Sequence, residues 1–319
     1  MKFRTEVDIP SYGFKISHTD KIFLAGSCFV ENIGNKLDRY LFDICLNPFG
    51  IVYNPASIVS QLEIILSGNT YTEKDLHKHN ELFFSFDHHG DFSDISAQKS
   101  LEKINSHLEK ARLQLKSANY FFFTFGTAWI YRYNKTGKIV ANCHKLPASE
   151  FTRERLHPDE IASSFTNIIS QIKQINPSAK FIFTVSPVRH WKDGAIENNL
   201  SKSILNVAVH DIIKSAKDCY YFPSFEIVYD ELRDYRFYAR DMIHLNEMAV
   251  DFIWEKFSGA FFDNATLNVI NRIEKVRKDL EHRPLFPGTE SHKKFIASTQ
   301  RKIDNLKKEF PFLDVSKLQ

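Results

Sequence analysis

Five short apolar runs, separated by helical patterns, are the feature that most constrains how this chain can fold. The runs cover residues 21–25, 42–46, 120–125, 180–185 and 219–222. Helical patterns fall near 28–40, 55–67, 97–117, 158–175 and 198–216. Continuous apolar runs are typical of strands that are covered on both faces, and strand–helix alternation favours a parallel sheet. We therefore expect an α/β domain with three α/β/α layers around a five-stranded parallel sheet.

Two segments depart from this alternation. Residues 69–95 are polar, rich in His and Asp, and carry an aromatic stretch at 82–86, so we interpret them as an insertion near the functional site. Residues 129–143 have the pattern of a β-hairpin that turns at 134–137 (NKTG). We place the core domain at 1–262 and a helical C-terminal extension at 263–319.

The C-terminal extension has its own composition. From residue 264 onward it has twelve Lys and Arg residues against seven Asp and Glu. Apolar residues recur between these charges, which predicts amphipathic helices near 265–282 and 291–309. We expect the extension to pack on the domain or on a neighbouring chain, and so to support a homo-oligomer.

Composition excludes several classes of function. The net charge is only +3 over 319 residues, so no nucleic-acid partner is expected. The longest apolar runs are too short for a transmembrane helix, and residues 1–10 lack the apolar core of a signal peptide. The four cysteines, at positions 28, 45, 143 and 219, show no CxxC spacing, which favours free thiols in a reducing cytoplasm.

Gly26-Ser27-Cys28 lies where the first apolar run ends and the first helical pattern begins. A serine on such a turn is held out of the sheet beside backbone N–H groups, which can stabilise negative charge on a reacting oxygen. Nucleophile turns of serine hydrolases are built in this way. The alternative is that Ser27 only caps the helix, because serine is favoured at that position. Cys28 is a rival nucleophile, although we expect its side chain to pack in the helix.

A serine nucleophile needs a base and a group that orients the base. Asp241 and His244 supply both on one short turn before the last core helix, near 246–257. The same D-x-x-H spacing recurs at Asp279 and His282 inside a charged helix, where we interpret it as a surface coincidence. The alternative for His244 is a loop histidine bonded to backbone.

Polar residues and glycines follow other strands at the same edge of the sheet. Gly126 follows the third strand, Gly50 lies beyond the second, and Arg189 and His190 come after the fourth. Ligands of open α/β sheets bind at this edge. Turn geometry explains each glycine equally well. Arg189 and His190 could instead serve only to hold their loop in place. Residues 142–145 (NCHK) have no second cluster at ligand spacing, so no metal is expected.

Taken together, these stretches resemble the GSCFA family, a branch of the SGNH/GDSL-like hydrolases. The motif of the family name appears at 26–29 (GSCF), with Val30 in place of the alanine. Family-like stretches follow at 47–55 (NPFGIVYNP), 126–129 (GTAW), 142–145 (NCHK), 186–190 (SPVRH) and 221–244. Several separated motifs in the right order make the resemblance specific over residues 1–260.

The resemblance implies a flavodoxin-like SGNH fold with strand order 2-1-3-4-5 and no cofactor. It implies that Ser27 is the nucleophile, His244 the base and Asp241 the orienting acid. The oxyanion hole would use backbone N–H groups of Ser27 and Gly50.

One oxyanion donor of the superfamily is missing, because Ala128 stands where an Asn side chain is usual. The hole therefore either lacks one donor or recruits another group, such as Asn54 or the backbone at Gly126–Thr127. The candidate substrate-binding residues are Asn54, Thr127, His144, Arg189 and His190.

Two functions remain open from the sequence. The first is a serine-dependent esterase or acyl transfer enzyme that acts on a small-molecule ester, with an acylated carbohydrate as one substrate class. An aromatic lid formed by 81–92 would favour transfer over hydrolysis. The second is a non-catalytic ligand- or carbohydrate-binding protein that retains the fold, which the missing Asn favours.

Overall fold

The computed structural model describes residues 4–318, so Met1, Lys2, Phe3 and Gln319 lie outside the described part of the expected domains. Its strands are β1 (Lys21–Gly26), β2 (Asp43–Leu46), β3 (His77–His79), β4 (Leu82–Phe84), β5 (Tyr120–Phe125), β6 (Trp129–Tyr133), β7 (Ile139–Val140), β8 (Phe151–Arg155), β9 (Lys180–Val185) and β10 (Cys219–Tyr221). Its helices are α1 (Cys28–Arg39), α2 (Pro55–Ser67), α3 (Ala97–Ser117), α4 (Pro158–Ile175), α5 (Gly194–Ser215), the short α6 (Ser224–Glu226), α7 (Glu247–Phe261), α8 (Asn264–Glu281) and α9 (Glu290–Glu309).

The main sheet has five parallel strands in the order β10-β9-β5-β1-β2. Numbered along the chain among themselves, these strands read 2-1-3-4-5 from one edge, which confirms the expected flavodoxin-like order. The expected bounds of the third and fourth strands, 120–125 and 180–185, match β5 and β9 residue for residue.

Helices cover both faces of the sheet, as expected for three layers. The side chains of β5 alternate: Phe121, Phe123 and Phe125 pack against α2, α3, α4 and α5, whereas Phe122 packs against α1 and α7. Both faces of the central strands are therefore buried. This explains why their sequences read as continuous apolar runs.

The second strand departs from the expectation of full burial. β2 is the edge strand of the sheet, with Asp43 exposed and its other residues half-buried. Its apolar run resembles that of a central strand, but only one neighbour, β1, pairs with it. The expected helix at 198–216 also begins four residues earlier, at Gly194.

The segment at 69–95 forms a small hairpin of β3 and β4. The predicted hairpin at 129–143 is present as β6 and β7, and β8 extends it to a three-stranded antiparallel sheet. Phe84 and Phe86 of the insertion pack on Tyr133 and Phe151 of this sheet in a separate apolar cluster. The insertion is therefore packed on a second layer of β structure.

The C-terminal extension packs on the domain. Ile273 and Val276 of α8 and Ile303 and Leu306 of α9 are buried in the same apolar cluster as α1 and α7. Within its described part, five of its basic residues pair with acidic groups, and one of them, Lys317, pairs with Asp38 of α1. Within residues 4–318, no helix has the length and apolarity needed to cross a lipid bilayer.

Candidate active site

The turn that presents Ser27 depends on a tight contact at Gly26. Gly26 has φ +144°, and a Cβ atom there would lie 2.3 Å from the backbone oxygen of Thr124 on β5. Its N–H donates to Asn47 Oδ1 at 2.9 Å. Only glycine meets both the backbone conformation and the spacing, so β1 reaches the sheet edge in direct contact with β5.

The Ser27 side chain is buried and unpaired. Ser27 stands at the N-cap position of α1, yet its hydroxyl makes no capping hydrogen bond. The side chain is 1% exposed, and Oγ has no hydrogen-bond partner among the described residues. A hydroxyl left unpaired in a protein interior is unfavourable, and such groups occur at sites of function. The capping alternative therefore does not account for this serine.

Asp241 and His244 form the expected pair. Asp241 Oδ2 lies 2.6 Å from His244 Nδ1, and Asp241 Oδ1 accepts the backbone N–H groups of Ile243 and His244 at 3.0 Å each. The hydrogen bonds from His244 and from these N–H groups lower the pKa of Asp241 to about 2. The carboxylate thus stays ionised and holds the ring by one nitrogen, so that the other nitrogen remains available.

Ser27 and His244 line one cavity of about 250 Å³. We call it the serine cavity; its other walls are Cys28, Tyr53, Gly126, Ser186, Val188, Arg189, His190, Trp191, Lys192 and Ile243. The histidine side chain is 56% exposed at the mouth, whereas the serine lies at the base. No hydrogen bond joins Ser27 Oγ to the histidine ring. The two groups therefore share one cavity without being bonded to each other.

The expected oxyanion donors are engaged in the protein itself. The Gly50 N–H donates to the Asn47 carbonyl at 2.7 Å, and the Gly126 and Thr127 N–H groups both donate to the Tyr53 carbonyl at 2.8 and 2.9 Å. The Ser27 N–H donates to the Thr124 carbonyl at 3.3 Å, a long bond that a stronger acceptor could replace. Gly50 and Gly126 thus offer no free N–H group, and their part in an oxyanion hole stays a prediction.

Both glycines have steric roles instead. A Cβ atom on Gly50 would lie 2.3 Å from His89 Cβ. One on Gly126 would lie 3.0 Å from the Tyr53 carbonyl oxygen and 3.2 Å from Ser27 Cβ. Gly126 thus keeps space beside the serine, and Gly50 lets the insertion approach β2.

Asn54 and Thr127 line a neighbouring cavity of about 260 Å³, which we call the Trp129 cavity. Asn54 Oδ1 caps α2 by accepting the Ser57 N–H at 2.8 Å, and Thr127 Oγ1 lies 3.1 Å from Ser201 Oγ. The Trp129 ring is covered by the Arg153 guanidinium, 3.9 Å from its centroid. Tyr53, His190 and Lys192 line both cavities, which therefore lie side by side.

Arg189 and His190 lie where the sequence predicts, in the wall of the serine cavity. The His190 N–H donates to Asn198 Oδ1 at 2.8 Å, and burial lowers the pKa of its ring to about 4. The Arg189 guanidinium lies 4.6 Å from the centroid of the Tyr229 ring. His190 is thus neutral at pH 7. Arg189 lines both the serine cavity and a neighbouring cleft.

That cleft holds about 640 Å³ and is lined by aromatic residues, so we call it the tyrosine cleft. Its walls are Arg189, Trp191, Ala195, Val228, Tyr229, Leu232, Arg233, Asp234, Tyr235, Tyr238, Asp241, Met242 and Ile243. It shares Arg189, Trp191 and Ile243 with the serine cavity. Asp241 lies in the wall of the tyrosine cleft, so the cleft is next to the Asp241–His244 pair.

His144 does not belong to the site. Its Nε2 lies 2.9 Å from the Ser85 carbonyl oxygen, and its ring stacks on Phe84 at 4.2 Å. Burial lowers its pKa to about 4. The ring is therefore part of the packing of the insertion. Residues 81–92 likewise line neither the serine cavity nor the tyrosine cleft, so the linings give no support to the expected lid.

Cys28, the rival nucleophile, lines the serine cavity instead of packing away from it, and burial raises the pKa of its thiol. Two further groups at the site were not predicted from the sequence. Tyr53 separates the two small cavities, and Lys202 of α5 lies buried beneath Gly126 and Ser186. Tyr53 lies inside the 47–55 stretch, which was a signal for it. A lysine within a helix gives no such signal, because most are solvated.

The model of the GSCFA family matches residues 21–257, about three quarters of the chain. This chain belongs to the GSCFA family. A second model, of the C-terminal domain of GSCFA proteins, matches residues 273–319, so the family likeness extends into the C-terminal extension, beyond the 1–260 expected. No curated protein matches the chain significantly.

Two solved structures are similar at a distance. One, provisionally described as a platelet activating factor from Streptococcus pneumonia, is 12% identical with a TM-score of 0.37, over 75% of this chain and 83% of that one. The other is an acetyl xylan esterase from the rumen bacterium Butyrivibrio proteoclasticus, 10% identical with a TM-score of 0.31, over 68% of this chain and 57% of that one. At TM-scores below 0.5, neither likeness identifies the activity of this GSCFA protein.

Proposed function

We propose that this GSCFA protein is a serine-dependent esterase or acyl transfer enzyme with an SGNH-type triad. Ser27 would be the nucleophile, His244 the general base and Asp241 the orienting acid. The observation that carries the proposal is the buried, unpaired Ser27 hydroxyl in the same cavity as a histidine whose Nδ1 is held by a carboxylate at 2.6 Å. Nucleophile, base and orienting group are the three parts that this mechanism requires.

In the proposed reaction, Ser27 Oγ attacks the ester carbonyl while the free ring nitrogen of His244 takes the hydroxyl proton. The tetrahedral intermediate collapses when His244 returns that proton to the leaving alcohol. Water or an acceptor hydroxyl then attacks the acyl-serine and releases the acyl group. The exposed His244 would approach Ser27 once substrate excludes water from the cavity, since catalytic hydrogen bonds are often long in ligand-free enzymes.

The proposed attack places a negative charge on the carbonyl oxygen of the ester, and hydrogen-bond donors are needed to stabilise it. The Ser27 side chain does not cap α1. Of the first three N–H groups of the helix, that of Val30 donates to the Ser27 carbonyl at 2.9 Å, which leaves those of Cys28 and Phe29. The other donor near the serine is its own backbone N–H, which makes only the long hydrogen bond to the Thr124 carbonyl. A positive helix end supports an anion at this point.

Cys28 is a weaker candidate for the nucleophile. Thiolates, rather than thiols, are the reactive form of cysteine. Burial raises the pKa of Cys28, so its sulfur is protonated at neutral pH. We therefore assign the reaction to the hydroxyl of Ser27.

The shape of the site favours an ester of a polar, ring-shaped alcohol, such as an acylated carbohydrate. The serine cavity of about 250 Å³ suits a small acyl group, and the tyrosine cleft of about 640 Å³ suits the alcohol. Trp191, Tyr229 and Tyr235 offer flat faces on which sugar rings pack. Arg233 and Asp234 offer hydrogen bonds for hydroxyl groups.

We further propose a cytoplasmic protein that binds neither nucleic acid nor membrane and that forms a homo-oligomer through its C-terminal extension.

A specific observation favours a second candidate, a non-catalytic protein that binds the same carbohydrate class. The Gly50, Gly126 and Thr127 N–H groups are all engaged, and Ala128 has no side-chain donor. Removing one oxyanion donor typically slows acyl transfer by about 10²–10³. A site that lacks its donors would bind without turnover.

A fluorophosphonate probe, which bonds covalently to activated serines, separates the two candidates. We expect labelling of the wild type and loss of labelling in Ser27→Ala and in His244→Ala. Asp241→Asn should retain part of the labelling, because nucleophile and base remain, and Cys28→Ala should retain most of it. Ser258→Ala is the matched control, because that hydroxyl is also buried and unpaired but lies on α7.

Ester panels extend the test. Wild-type protein should hydrolyse p-nitrophenyl acetate or an acetylated sugar, or transfer the acyl group to an added alcohol. Labelling that survives Ser27→Ala and disappears in Cys28→Ala would move the nucleophile by one residue. No labelling and no turnover in the wild type would favour the binding protein.

A further inference from the structure

Lys202 is the most deeply buried charged side chain close to the serine cavity. It lies on α5 and is 2% exposed. Its Nζ donates to the Gly126 carbonyl and to the Ser186 carbonyl, at 2.7 Å each. Both carbonyls belong to residues that line the serine cavity. The ammonium therefore lies directly behind the wall of that cavity, at the carboxyl ends of β5 and β9.

The face of α5 that carries Lys202 holds the two loops that follow β5 and β9. Asn198 accepts the His190 N–H, and Ser201 Oγ accepts the Ala128 N–H at 2.7 Å. Asn198, Ser201 and Lys202 follow the i, i+3, i+4 spacing of one helix face, and each is buried. The loops after β5 and β9 are thus each held twice, by a neutral side chain at Ala128 or His190 and by the Lys202 cation at Gly126 or Ser186.

The burial of Lys202 is not explained by an ion pair. Removing an ammonium from water is costly unless it is paired, and no carboxylate pairs with Lys202 among the described residues. The groups that face it are Cys28 on α1 and Arg189 and His190 on the loop after β9. None of these brings a negative charge at neutral pH. The uncompensated positive charge is thus directed at a cavity in which the proposed reaction generates a negative one.

We propose that Lys202 is a positioning residue that places a buried positive charge behind Ser27 and replaces the side-chain donor missing at Ala128. The inference rests on the proposed function. An ammonium in a water-excluded site acts over several ångströms, because little solvent screens it. It stabilises the oxyanion through the electrostatic field and fixes the Gly126 and Ser186 carbonyls, so that they turn away from the reacting oxygen.

The charge of Lys202 has a pH dependence of its own. Burial lowers the pKa of the Lys202 ammonium to about 7. The stabilising charge is then present below about pH 7 and is lost as the pH rises above it. Activity that depends on this charge should therefore fall as the pH rises above about 7.

The test measures the rate constant for fluorophosphonate labelling of Ser27 between pH 5 and 9, in the wild type and in Lys202→Met, whose unbranched side chain is one atom shorter and carries no charge. We expect Lys202→Met to label roughly 10²-fold more slowly at pH 6.5. We also expect the alkaline fall of the wild-type rate to be absent from the variant. Lys173→Met is the matched control, because Lys173 also donates to a backbone carbonyl from a helix, far from the site, and should label like the wild type.

Lys202→Gln separates charge from hydrogen bonding, since it retains a donor without the charge. It should label as slowly as Lys202→Met, and a wild-type rate would overturn the inference. Unchanged labelling in folded Lys202→Met would overturn it as well. Where both variants fail to fold, the wild-type profile decides, and a rate that does not fall above about pH 7 refutes the role. Absence of any Ser27-dependent labelling would overturn the proposed function and this inference together.

Discussion

Gly26→Ala should destabilise the protein strongly, because the new methyl group meets backbone rather than a movable side chain. The Cβ atom would lie 2.3 Å from the Thr124 carbonyl oxygen and 2.9 Å from the Thr124 nitrogen. Both atoms belong to β5, which is paired with β1 and β9 and cannot shift alone. The cost has two parts: a non-glycine residue at φ +144° and an overpacked contact.

Each part costs about 1–3 kcal/mol, so the free energy of unfolding should fall by about 4 kcal/mol. This corresponds to roughly a thousandfold change in the folding equilibrium. The measurement is urea denaturation followed by far-UV circular dichroism. Gly259→Ala is the matched control, because no atom lies within 4 Å of its added methyl group, and alanine is favoured by about 0.5–1 kcal/mol inside a helix. A loss below about 1 kcal/mol in Gly26→Ala would refute the reasoning.

Two further predictions concern stability. Burial lowers the pKa of His88 to about 3, while an unfolded histidine titrates near 6.5, so the free energy of unfolding should decrease as the pH falls below about 6.5. His88→Phe should flatten this decrease in urea denaturation at several pH values, whereas His210→Phe, at an exposed position, should leave it unchanged; an equal slope in both variants would contradict the prediction. Leu306→Ala should lower the free energy of unfolding by about 2–5 kcal/mol, because the side chain is buried in the main apolar cluster. Lys307→Ala, on the exposed face of α9, should change it by less than about 0.5 kcal/mol, and equal effects would mean that the extension does not pack as described.

The sequence by itself determined the elements whose causes are local. Apolar runs of strand length predicted β5 and β9 to the residue, and proline near a helix start marked α2 and α4. The pairing of Asp241 with His244 was also readable, because three residues of one turn separate them. In each case the interacting groups lie within one turn or one strand, so that the local pattern contains the information.

Only the tertiary structure decided which polar groups at the site are free. Gly50 and Gly126 looked alike as donors after strands, but both N–H groups are engaged. The Gly50 N–H donates to Asn47 within the same turn, whereas the Gly126 N–H donates to Tyr53, which is 73 residues away and comes near only on folding. His144 seemed to belong to the site, but it stacks on Phe84 of the insertion.

Burial of single residues was equally beyond the sequence. The sequence of Asp43–Leu46 has the apolar pattern of a central strand, but the segment is an edge strand of the main sheet. The position of a strand depends on how the chain crosses over the sheet, which the local pattern does not contain. Lys202 reads as a solvated lysine of α5, yet the helix meets the sheet edge at that residue, and the ammonium is covered by loops from β5 and β9. A helix pattern reveals which side is apolar, whereas only packing against distant strands decides which charge is enclosed.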